Sequence, residues 1–214
     1  MAGSTQEAFL KRVRSALSNH TQPTDLPSAL DVARVIQPGG DVVALFLARV
    51  EEAKASPHRV RDEAELAEKI ASIVREAGGR TALVPGEAMP ARDQIIARLQ
   101  ADGIQLLDPD DPDAAFVADV GITAASAAVA ETASMSLTSG DGRRRLASLA
   151  VPCHIGIVRA EQIVPDLLDW AEKHETPPQA NEVLVSAPSK TADIELSLVM
   201  GVHGPRYEHV VVLG

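Results

Sequence analysis

The sequence predicts a three-layer α/β fold with a largely parallel sheet, and three observations carry this. Short runs rich in β-branched residues, "RTALV", "HIGIV", "EVLVS" and "HVVVL", read as strands. Between several of them lie longer stretches with apolar residues at helical spacing. The alternation continues along the chain without an internal repeat, and it favours a parallel sheet with helices on its faces.

The elements follow in order. "STQEAFLKRVRSAL" sets Ser4 and Glu7 at capping-box spacing, with Leu10, Val13 and Leu17 on one helical face. The next stretch, "SNHTQPTDLPSALDVARVIQPGGD", is rich in Pro, Gly and polar residues and reads as a linker. Residues 1–40 are therefore expected to form a helical arm and 41–214 the α/β domain. Asp41 caps a helix marked by Val43, Phe46, Leu47 and Val50. "HRV" suits a short strand. Leu66, Ile70, Ile73, Val74 and Ala77 mark a helix stopped by Gly78 and Gly79. "RTALV" is a strand, "ARDQIIARLQAD" a helix and "GIQLLD" a strand. Residues 119–150 break the rhythm, being small-residue-rich and hairpin-like. Gln162 to His174 reads as a helix with Pro165 in its first turn. A last helix, from about Ser189 to Met200, separates "EVLVS" from "HVVVL".

Composition narrows the function. The net charge is −10, with no basic stripe interleaved with aromatics, so nucleic acid is not an expected partner. Cys153 is the only cysteine in these 214 residues, so they form no internal disulfide and supply no four-thiolate iron–sulfur site. The histidines show no i, i+4 pair and no Cys–His cluster, so no metal site is expected. The longest uncharged run, Val120 to Ala130, is too short for a membrane-spanning helix, and the N-terminal stretch lacks the apolar core of a secretory signal. A cytoplasmic setting is the expectation.

Candidate site residues come from two stretches. In "AVAETASMSLTSG", residues 128–140, apolar and hydroxyl side chains alternate. If the stretch is extended, Glu131 falls in the apolar row with Val129, Ala133, Met135 and Leu137. A carboxylate facing a core needs a partner or a raised pKa, so Glu131 is functional, sits at the strand's mouth, closes a structural ion pair, or belongs to a helical 124–131 with the alternation starting later. In "VSAPSKTADIELSLVMGVHGP", residues 185–205, the expected helix start would offer unpaired N–H groups beside Ser189, Lys190 and Thr191. Such an end suits a carboxylate or phosphate, and it equally suits simple capping. Asp193 shares that face, while Glu195 projects away from it. His203 is held in a stiff turn by Gly201, Gly204 and Pro205, where it could transfer protons or satisfy carbonyls. His154 opens the strand "HIGIV". Arg143, in "GDGRRRL", could clamp an anion or remain solvated. No Walker or Gly-x-Gly-x-x-Gly fingerprint is present.

"GITAASAAVAETASMSL", "RRRLASLAVPCHIGIVRAEQIV" and "APSKTADIELSLVMGVHGPRYEHVVVL", in that order, resemble the lactate-utilisation protein C family, the LUD-domain proteins. The resemblance implies an α/β fold related to the ribose-phosphate isomerase and CoA-transferase superfamily. It also implies a role in bacterial oxidation of L-lactate to pyruvate beside two iron–sulfur partner proteins, which would carry the clusters absent here. The family's marked positions fall on Gly121, Ile122, Thr123, Glu131, Thr132, Pro152 and His154. They continue through Pro188, Ser189, Thr191 to Glu195, Gly201, His203, Gly204 and Pro205. Two departures stand out. The family usually reads Thr-Gly-Thr after the Glu, where this chain has Thr132, Ala133 and Ser134, and Gly-Pro-Ser-Arg where it has Ala187 to Lys190. The resulting expectation is a small-anion pocket in which Glu131, His203 or Asp193 moves protons. Thr123, Thr132, Ser189, Lys190, Thr191 and Gly204 would hold the anion. A non-catalytic anion-binding assembly subunit and a stand-alone isomerase or acyl-transferase-like enzyme are the alternatives.

Overall fold

The computed structural model describes residues 3–18, 40–86, 88–140, 145–173, 181–191 and 199–214. Met1–Ala33 and Arg34–Gly214 are two compact units. In the first, α1 (Gly3–Leu17) leaves Phe9, Leu10, Val13 and Leu17 exposed along its length.

In the second unit, sequence punctuation becomes helix ends as expected. The Asp41 carboxylate accepts from the Ala44 N–H at the start of α2 (Val42–Glu52), and Asp62 caps α3 (Glu63–Glu76) through the Glu65 N–H. After α3, the Gly78 and Gly79 N–H groups donate to the Arg75 and Val74 carbonyls, the paired bonds of a Schellman stop. α4 is Arg92–Ala101. Two short helices follow, α5 (Ala114–Val117) and α6 (Leu146–Leu149).

Six strands form the main sheet: β1 (Ser56–Val60), β2 (Thr81–Leu83), β3 (Gln105–Leu106), β4 (Val120–Ala124), β7 (Cys153–Arg159) and β12 (Tyr207–Leu213). Their order is β1-β12-β7-β4-β2-β3, and every neighbouring pair is parallel. One face buries Ile122, Ile155, Ile157, Val211 and Leu213 against Leu66, Ile70 and Ile73 of α3 and Ile95 and Leu99 of α4. On the other face Val158, Val210 and Val212 pack with Phe46 and Val50 of α2. Residues facing both ways are apolar because helices or a second sheet cover both sides.

That second sheet has the order β8-β5-β6-β9, from β5 (Ala127–Val129), β6 (Ser134–Ser139), β8 (Ile163–Val164) and β9 (Asn181–Val185). It joins the α2 side through Met135, whose sulfur lies where a Cβ on Gly156 would come within 2.4 Å. A Cβ on Gly121 would lie 1.8 Å from the Ala147 carbonyl oxygen, so only glycine lets α6 close on β4.

Three expectations are corrected. Residues 128–138 are not one strand: β5 ends at Val129, a turn spans 130–133, and β6 starts at Ser134. Glu131 therefore lies in a turn, outside the apolar row. The stretch from Gln162 is not helical from its start. Ile163–Val164 pairs with β5, and α7 (Leu167–Glu172) begins only after Asp166, which caps it through the Leu168 and Asp169 N–H groups. Finally, β10 (Lys190–Thr191) and β11 (Val199–Met200) pair antiparallel, so no helix starts at Ser189. Asp193, Glu195 and Arg143 lie outside the described residues.

Candidate functional site

The β5–β6 turn is closed by local bonds. The Ala133 N–H donates to the Ala130 carbonyl at 3.4 Å, and Ala133 itself has a φ of 54°. The Ala130 and Glu131 N–H groups donate to the Val164 and Pro165 carbonyls at 2.9 and 3.0 Å, pinning the turn to the chain after β8. Glu131 and Thr132 are half-buried there.

Hydroxyls join this turn to the end of β9. The Thr132 and Ser134 oxygens are 2.7 Å apart, and the Ser134 and Ser186 oxygens 2.6 Å apart. Three hydroxyl protons serve two mutual hydrogen bonds, and the third is left for the Thr132 carbonyl, 3.5 Å from the Ser134 oxygen, or for a ligand. A second group lies along β6: the Ser136 hydroxyl meets Glu182 and lies 3.2 Å from the Ser126 hydroxyl.

Ser189 is fastened on three sides. Its N–H donates to the Pro205 carbonyl and its carbonyl accepts from the Gly201 N–H, both at 2.8 Å. Its hydroxyl oxygen accepts from the His203 N–H at 3.3 Å. A Cβ on Gly204 would stand 3.3 Å from the Ser189 Cβ, so the two strands of chain lie in contact. The His203 ring is exposed. Lys190 extends elsewhere, its Nζ donating to the Ala53 carbonyl at 2.5 Å, just past the end of α2. Thr191 is a rung of the β10–β11 ladder. Ser189, His203 and Gly204 are thus together, and the Thr132–Ser134–Ser186 chain ends three residues before Ser189. Among the described residues, no hydrogen bond or ion pair joins Glu131 to Ser189 or His203.

Thr123 and His154 belong to a separate, interior arrangement that also includes Glu208, which the sequence reading missed. In register, His154 of β7 lies beside Glu208 of β12, and Thr123 of β4 pairs with Gly156 two residues on. The Thr123 Oγ1 is 2.8 Å from His154 Nε2, and His154 Nδ1 is 2.7 Å from Glu208 Oε1. All three side chains are buried, with His154 at 0% exposure. Glu208 Oε2 has no hydrogen-bond partner among the described residues. The order hydroxyl, imidazole, carboxylate can orient a proton along one line. Its burial closes all three side chains off from solvent. Beside it, burial and then the Glu208 charge push the Cys153 thiol up to about 12.

The LUD domain model matches residues 43–213 of this chain. The chain belongs to the LUD domain family. Relatives of this LUD chain include Lactate utilization protein C of Exiguobacterium sp., 39% identical over 107 residues, or 46% of either chain. Lactate utilization protein C of Halalkalibacterium halodurans is 33% identical over 120 residues, covering 53% of this chain and 50% of that one. The chain thus spans about half the length of these curated relatives. A crystal structure of a DUF162 family protein from Deinococcus radiodurans aligns with a TM-score of 0.61 at 26% identity, covering 83% of this chain and all of that one. The LUD fold is α/β, as expected. No helix among the described residues is long and apolar enough to cross a membrane, and no group of three or more His, Cys, Asp or Glu there is placed to hold a metal ion.

Proposed function

We propose that this LUD chain is a subunit of a bacterial lactate-utilisation system and supports oxidation of L-lactate to pyruvate. The relatives' names support the lactate role. The Ser134–Ser186 hydrogen bond is the structural support, because it ties, across 52 residues, one segment that carries the resemblance to the residue directly before another. The small carboxylate binds beside this junction, where the spare hydroxyl donor of the Thr132–Ser134–Ser186 chain and the Ser189 O–H serve as donors. Lys190 is engaged with Ala53 and contributes to the position of the hairpin rather than to the anion.

Conversion of lactate to pyruvate removes the hydroxyl proton, the C2 hydrogen and two electrons. His203, exposed on its bend, accepts a proton in this reading, and Glu131 is the second carrier. The only cysteine is buried and strongly protonated, so the electrons pass to iron–sulfur partner proteins. The test is lactate-dependent cluster reduction in a complex reconstituted with those partners. Ser134→Ala combined with Ser189→Ala should lower the rate by about tenfold or more, and Glu131→Gln by less. Full activity in the double variant would refute the anion site. Full activity in both variants, with the complex intact, would indicate an assembly role instead.

A further inference from the structure

His58 on β1 and His209 on β12 meet at the edge of the parallel sheet. The His58 Nε2 lies 3.1 Å from the His209 Nδ1, the ring centres are 5.4 Å apart, and the planes differ by 11°. A centre separation this large for so short an N···N distance places both nitrogens on the line between the centres. The rings therefore meet edge to edge, as an N–H···N hydrogen bond, rather than face to face. Such a bond holds one proton. A second proton would set two N–H groups head to head.

The surroundings make that second proton costly. α3 packs over β1 and β12 and brings Lys69 and Glu76 to the pair, and His154 of β7 lies behind it. Glu76 favours the cationic form, although its carboxylate also accepts from the Ser72 hydroxyl at 2.6 Å. Burial, Lys69 and the neighbouring imidazoles oppose it.

β1 is an edge strand, bonded in the sheet to β12 alone. Only Ala53, Lys54 and Ala55 separate it from the end of α2 at Glu52. The Ala53 carbonyl is the acceptor of Lys190 Nζ, and Lys190 adjoins Ser189. Strand, helix end and hairpin form one continuous set of contacts.

We infer that the His58–His209 pair is an acid-opened latch on β1, and that its opening loosens the β10–β11 hairpin through Ala53 and Lys190. In the singly protonated pair the bond closes the sheet edge. The neutral pair and the pair with one added proton both keep the N–H···N bond; a second added proton makes both rings cations with their N–H groups head to head, and β1 loses a side-chain tie to β12. This holds whichever substrate the hydroxyl site takes, because it concerns backbone opening and not turnover.

Amide hydrogen exchange of the full chain at about pH 7.5 and about pH 5, corrected for intrinsic exchange, tests it. In the unaltered protein, opening of Ser56–Val60 and of Lys190–Thr191 should rise together by about tenfold at the lower pH, with Ile70–Val74 of α3 unchanged. His58→Gln and His209→Gln should each remove the acid response. Lys190→Met should keep it in β1 and abolish it in the hairpin. No rise in β1, or a rise surviving both Gln variants, overturns the latch. A hairpin response surviving Lys190→Met overturns the coupling. If the Gln variants fold poorly, imidazole proton resonances of the unaltered protein decide: His58 and His209 titrating independently would also overturn it.

Discussion

At Ala133 the chain adopts a φ of 54°, in the left-handed region that favours glycine. That conformation costs a non-glycine residue about 1–2 kcal/mol. Ala133→Gly removes this and adds about 0.5–1 kcal/mol of unfolded-state entropy. Urea unfolding should therefore show a net gain of about 0.5–1 kcal/mol. Glu208 shows how much of the site could be read beforehand. A carboxylate in an otherwise apolar alternating row marks a buried acid that needs a partner. The row it describes is Glu208, Val210 and Val212, and all three are buried. Glu131 lies outside such a row because its alternation runs through a turn, whereas Glu208 was hidden because its partner lies 54 residues away. Glu208→Ala should cost about 3–5 kcal/mol in unfolding experiments, since it strands the His154 N–H in the interior. Glu208→Gln, which retains an acceptor, should cost distinctly less.

Among the elements, helices with strong end signals were legible: Asp41 and the Gly78–Gly79 stop are local signals and act locally. The stretch after Pro188 was not. Its apolar spacing suits a helix, but Ser189 is fastened to Pro205, Gly201 and His203, all at least twelve residues away, and these bonds set Lys190–Thr191 against Val199–Met200. Tertiary contacts of this kind leave no periodic trace. The β4–α6 contact is tighter still. Gly121→Ala forces a methyl group against the Ala147 carbonyl, and a loss of about 2–3 kcal/mol in chemical denaturation is expected, with β4 and α6 moving apart.

For the whole molecule, the layered plan followed from alternating elements, and the order β1-β12-β7-β4-β2-β3 did not, because strand neighbours are chosen by long-range pairing. Acid stability is a property at this scale. Burial holds His58 below its ordinary value, and burial with the His58 charge takes His209 down to about 4. Between folded and unfolded values the unfolded chain binds more protons. Their contribution is complete above about pH 6.5 and is lost as the pH falls toward the folded value. Asp119 is held low chiefly by the Arg80 N–H, aided by the Thr81 N–H and hydroxyl, and its contribution disappears at lower pH, below the usual carboxylate range. Urea midpoints measured down a pH series should fall in two stages. Replacing both histidines with Gln should flatten the first stage and leave the second.

Cys153 sits on β7 at 2% exposure, beneath α3 and α4. Maleimides and other alkylating probes should leave the native protein unlabelled and react only after denaturation. A cysteine introduced on the surface, for example at Tyr207, would then be the unique attachment point for a fluorophore or spin label. Distances in the working assembly could be measured with no need to delete the natural thiol.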